Sequence, residues 1–164
     1  MLRLTLRGPR LVSLFALLVC LASGVARAAL SDAVVAAFKG KVVLTRGAVA
    51  EGATDKETIA RLKAAQVSEL NGAPGDDGRL WTFHYTVFVK KTGNVGLTLQ
   101  FVSGEADGRL AAETALPIVD EQSPVIEGNL TIGESRGLVR GKAYLLKVVN
   151  DKGDVVAKAS AIFK

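Results

Sequence analysis

Leu138 to Val149 reads Leu-Val-Arg-Gly-Lys-Ala-Tyr-Leu-Leu-Lys-Val-Val, and it narrows the possible folds more than any other stretch. Side chains of an extended chain alternate between two faces. Tyr144, Leu146 and Val148 therefore fall on one side, and Ala143, Leu145, Lys147 and Val149 on the other. The pattern predicts a strand with one strongly apolar face and one weaker face. Gly141 stands three residues before Tyr144 and Leu138 three before Gly141. The glycine supplies the bend into the strand, where a side chain would crowd the tyrosine ring.

The spacing Leu138-x-x-Gly141-x-x-Tyr144 resembles the corner of fibronectin type III and related immunoglobulin-like domains. In that family the tyrosine opens a strand, and its hydroxyl bonds a backbone group a few residues upstream. Arg140 stands where the family usually has proline. The likeness covers about a dozen residues directly and the other strands by their pattern alone. It implies two antiparallel sheets packed face to face.

The pattern along the rest of the chain predicts seven short strands and one helix. Phe38 to Arg46 is the first strand, with Val42 and Leu44 on one side and Val43 on the other. Thr54-Asp55-Lys56-Glu57 is a capping-box sequence, in which the threonine hydroxyl accepts from an orphan backbone N–H and the glutamate reaches back. Ile59, Leu62, Val67 and Leu70 share one arc of a 3.6-residue period, and Ala60, Ala64 and Ala65 favour helix. A helix is thus expected over about 55–66, inserted between the first and second strands. Its expected role is to cover an open end or edge of the sandwich. Asn71 to Gly78 is turn chemistry throughout. In Leu80 to Lys90, Trp81, Phe83, Tyr85, Val87 and Val89 alternate onto one face, and Thr82, His84 and Thr86 onto the other. Further strands are expected over Val95–Phe101, Leu110–Val119, Val125–Ile132 and Val155–Phe163. Pro117 marks the strand over Leu110–Val119 as an edge strand or a bulge. The fold expected is mainly β: a seven-stranded antiparallel immunoglobulin-like sandwich with one inserted helix, a small barrel being the alternative.

Residues 1–28 have the make-up of an export leader. Arg3, Arg7 and Arg10 precede the apolar run Leu11 to Leu21, and Ala26-Arg27-Ala28 is a cleavage pattern. A retained membrane anchor is the competing reading, but the run is shorter than the ~20 residues a span requires. The division expected is a leader over 1–28, a tether over 29–37 and one β-domain over 38–164. The formal net charge of +5 includes Arg3, Arg7, Arg10 and Arg27; without these four, basic and acidic residues balance to within one charge. The basicity belongs to the leader and gives no reason to expect a nucleic-acid face. The only cysteine is Cys20, inside the apolar run, so the exported part must be held together by its core.

Few residues suggest chemistry. His84 is the only histidine and sits in a regular strand, half-exposed by its pattern. No nucleophile-elbow sequence accompanies it. One histidine and no mature cysteine make a zinc site within one chain a poor expectation. Asp76-Asp77, Glu105 with Asp107, and Asp120-Glu121 lie in expected turns without the spacing of a calcium loop. Asn129-Leu130-Thr131 fits a glycosylation sequon in mid-strand. Arg136, Arg140 and Lys142 form a basic group near the tyrosine corner, a candidate surface for an anionic partner. The expectation is an exported, non-catalytic module that binds an unidentified protein or envelope component or plays a structural role there. It has no catalytic, cofactor or metal residues and, once the leader is cleaved, no membrane span. A calcium-dependent adhesive module and a hydrolase using loop carboxylates are the alternatives.

Overall fold

The computed structural model describes residues 30–93, 96–104, 108–117 and 120–164. The leader expected over 1–28 lies outside them. Ser31 caps the first helix, α1 (Asp32–Phe38), with its hydroxyl accepting from the Val34 N–H. This is where a tether was expected. The strand expected from Phe38 starts only after the turn at Gly40, as β1 (Lys41–Thr45).

The inserted helix, α2 (Asp55–Ala65), begins at Thr54 as the capping box predicts. Thr54 Oγ1 accepts from the Glu57 N–H at 3.2 Å, while the Glu57 carboxylate reaches one residue past the cap and accepts from the Ala53 N–H at 2.9 Å. That backbone N–H and the Arg61 guanidinium hold the Glu57 carboxyl below the usual carboxylate range.

Seven longer strands follow the sequence pattern closely: β1, β4 (Gly78–Phe88), β5 (Thr98–Ser103), β6 (Leu110–Ala115), β7 (Val125–Gly133), β8 (Lys142–Val149) and β9 (Val155–Phe163). Two more, β2 (Glu69–Leu70) and β3 (Ala73–Gly75), raise the count among the described residues to nine. All belong to one hydrogen-bonded sheet with path β3-β4-β1-β9-β8-β5-β6, in which β2 also pairs with β9 and β7 with β4. The expectation of seven purely antiparallel strands is therefore corrected. β1 and β2 run parallel to β9 (Lys41 opposite Lys158, Leu70 opposite Phe163), while the other pairs are antiparallel. The reason is β4, the longest strand. β7 pairs along it from Leu80 to Phe88, while β3 takes one end of the other edge and β1 the opposite end. β1 is then left to bridge to β9.

One side of this sheet faces a single core. Val42, Leu44, Trp81, Phe83, Tyr85, Leu99, Phe101, Ile126, Ile132, Tyr144, Leu146, Val148 and Phe163 all enter it. A sheet that turns the same face of so many strands inward must curl around that core. The other side of β1 and β4 carries a second, smaller core: Val43 and Phe88 meet Val34 and Phe38 of α1 and Leu62 of α2. The helices thus cover a sheet face, where an end or edge was expected.

At the corner before β8, Tyr144 Oη accepts from the Val139 N–H at 2.8 Å. Gly141 has φ +79, a conformation that L side chains rarely adopt, yet a Cβ there would meet nothing within 4 Å. Backbone conformation, not crowding of the ring, is what requires glycine. Tyr144→Phe removes the acceptor but keeps the ring, so thermal unfolding should show a loss of about 1 kcal/mol. An unchanged midpoint would mean that water replaces the hydroxyl at no cost.

Candidate functional site

The three residues singled out as a partner surface lie along the connection from β7 to β8. Arg136 ends a single 3-10 turn, Glu134–Arg136, which closes on Gly137 at φ +101. Leu138 turns inward and is buried, which lifts Val139 and Arg140 to the surface before Lys142 opens β8. Arg136, Arg140 and Lys142 are all exposed. Only Lys142 lines the adjoining cleft, a cavity of about 370 Å³. Ser103, Arg109 and Leu110, from β5 and the entry to β6, and Val139 and Tyr144, from the connection into β8 and from β8 itself, line it as well. Arg136 and Arg140 each adjoin a lining residue in sequence, Gly137 and Val139 respectively.

The cleft is apolar at its lip. Leu110 and Val139 are 47% and 49% exposed, the two most exposed large hydrophobics among the described residues. Cations beside an exposed apolar pair suit an anionic ligand that also carries an apolar group. Sequence reasoning missed Arg109 because it enters from the turn before β6, far from the β7–β8 connection in sequence. The only signal for it was its place directly after Gly108.

No family model matches this chain, and no curated protein matches it in sequence.

His84 was expected to be half-exposed; it is 6% exposed. Its strand partners are Thr45 of β1 and Asn129 of β7, and the helical layer over β1 and β4 accounts for the burial of that face. The Thr45 hydroxyl donates to the Gly47 carbonyl at 2.7 Å, and the Thr86 hydroxyl donates to Glu127 at 3.2 Å. Neither hydroxyl is therefore presented to His84 as a nucleophile. Thr82 and Thr131 bond each other at 2.9 Å further along the same face.

Trp81, Phe83 and Tyr85 lie in the main core, so they form no exposed platform for a sugar. Burial pushes the Tyr85 phenol above its ordinary pKa. Asp76 and Asp77 are exposed in the turn from β3 to β4, and Asp120 accepts from the Gln122 N–H at 2.8 Å in a turn of its own. Glu105 and Asp107 lie outside the described residues. Among the described residues no three His, Cys, Asp or Glu side chains gather to hold a metal ion. Also among the described residues, no helix is long and apolar enough to cross a membrane.

Proposed function

We propose that this chain is an exported, non-catalytic immunoglobulin-like module that docks an anionic protein or envelope component at the basic end beside Tyr144. The observation that carries this reading is the cleft lined by both Arg109 and Lys142 and by the exposed pair Leu110 and Val139. Arg136 and Arg140 extend the positive charge along the same connection. Export rests on the leader pattern of residues 1–28.

The family reading draws support from strand pairing. β4 pairs with β7 and β1, while β5 pairs with β6 and β8, and β8 with β9. Immunoglobulin-like domains divide their strands in this way, the first, second and fifth in one layer and the third, sixth and seventh in the other. β1 touches both groups through β4 and β9, which joins the two layers at one edge. Such folds serve many functions, so the docking role stands on the cleft alone.

The test is fluorescence anisotropy with a labelled peptide of alternating glutamate and leucine. Binding should weaken as salt rises, and Lys142→Glu should weaken it about tenfold or more. Failure of the peptide to bind, or equal binding by Lys142→Glu, would overturn the reading.

A further inference from the structure

The outer face of β6, β5, β8 and β9 is not covered by the helices, whose contacts are with β1 and β4. Strand register arranges this face in three rows. Val102 and Leu145, with Leu110 at one end and Ser160 at the other, form the first. Glu113, Gln100, Lys147 and Lys158 form the second. Ala115, Thr98, Val149 and Val155 form the third. Two mainly apolar rows therefore bracket one charged row, with Leu110 and Leu145 supplying the surface of the first, since Val102 is only 7% exposed. Leu110 and Val155, at opposite corners, are both among the exposed large hydrophobics.

The charged row is poorly arranged for an isolated chain. Lys147 and Lys158 stand directly opposite each other on neighbouring strands. Like charges in that relation are destabilising. Glu113, the only acid in the row, is three strand spacings from Lys158, about 14 Å. Its carboxylate accepts from the Gln100 amide at 3.4 Å. Among the described residues none of Glu113, Lys147 and Lys158 takes part in an ion pair.

We propose that this face pairs with the same face of a second copy, about a twofold axis lying between the two sheets and parallel to the strands. That operation keeps each row over its own counterpart and reverses it end to end. The apolar rows then meet apolar rows. Glu113 of each copy comes over Lys158 of the other, and the Gln100 carbonyl comes over Lys147. An axis across the strands would instead set Glu113 against Glu113 and the lysines against lysines, so charge selects between the two. The rows span roughly 20 Å by 20 Å, about 800 Å² over both copies, which is below the standard specific interface and makes this a weak, transient pairing. This surface is separate from the cleft beside Tyr144 except at Leu110, and the inference does not depend on the proposed function.

Sedimentation velocity of the purified protein, at concentrations on the order of 1 to 500 µM, tests it. A monomer–dimer equilibrium is expected. Lys158→Glu and Glu113→Lys should each weaken dimerisation about 100-fold, because two symmetric pairs are lost at about tenfold each. The double exchange E113K/K158E should restore the dimer to within about tenfold of the parent. Lys158→Glu also removes the lysine pair, so its thermal midpoint measured on the monomer should not fall, which separates a lost contact from a damaged fold. A protein monomeric throughout, a dimer indifferent to the single reversals, or a double exchange that stays monomeric would each overturn the proposal.

Discussion

Phe163→Ala is expected to lower the free energy of unfolding by about 3–5 kcal/mol. The ring is 0% exposed and stands edge-on to four others. Centroid separations are 5.4 Å to Trp81, 6.3 Å to Phe83, 5.8 Å to Phe101 and 5.5 Å to Tyr144. These partners come from β4, β5 and β8, so one side chain near the end of β9 joins strands from both halves of the sheet. Edge-to-face pairs contribute beyond the area they bury, and alanine removes all four at once while leaving a cavity. The backbone around it is fixed as well. The Trp81 indole N–H donates to the Lys164 carbonyl at 3.0 Å and the Gly72 N–H donates to the same oxygen at 2.8 Å. The site therefore has little freedom to collapse into the void. Urea unfolding should show a lower midpoint at an unchanged slope. A loss below about 1 kcal/mol would mean that the core at this end is loosely packed.

The importance of Phe163 was not legible in the sequence, although the strand that carries it was. Alternation reports which face a residue takes, and it set Trp81, Phe83 and Tyr85 on one face and Tyr144 and Leu146 on another, all of which enter the core. It does not report which ring lies at the centre of the others. That depends on how far the sheet curls, a property of long-range pairing. The same gap explains the strand count. β2 and β3 are two and three residues long, too short for a period, and β3 contains Pro74 within a run rich in turn residues. The helical layer was half legible. α2 carried a cap signature that tertiary structure preserved, whereas α1 has seven residues and an alanine-rich sequence that reads equally as a frayed segment. Without α1 in view, the face bearing Thr82, His84 and Thr86 looked solvated. Phe88 on that same face was the unused clue, since a large aromatic there requires a cover. For the candidate site, Arg136, Arg140 and Lys142 could be found because they are close in sequence. Arg109 and Leu110 could not, because β6 reaches the cleft only through its pairing with β5.

Leu62→Ala should cost about 2–5 kcal/mol, through a different part of the molecule. Leu62 is 3% exposed and is the only fully buried apolar side chain of α2. It packs with Val34, Phe38, Val43 and Phe88, where Phe38 and Phe88 stack at 5.0 Å. An eleven-residue helix is marginal in water by itself, so α2 depends on this contact more than on its propensity. The two substitutions should differ in kind. Phe163→Ala weakens the sheet globally, whereas Leu62→Ala should first raise amide exchange in α1 and α2 while β4, β8 and β9 keep their protection. Leu62 and Phe163 belong to separate clusters with no residue in common, one on each side of the sheet. Their effects should therefore add to within about 0.5 kcal/mol in the double variant. A Leu62→Ala protein as stable as its parent would mean that the helices rest on the sheet without supporting it. A strong non-additive term would mean that the β4 backbone transmits packing between its two faces, and that the two cores act as one.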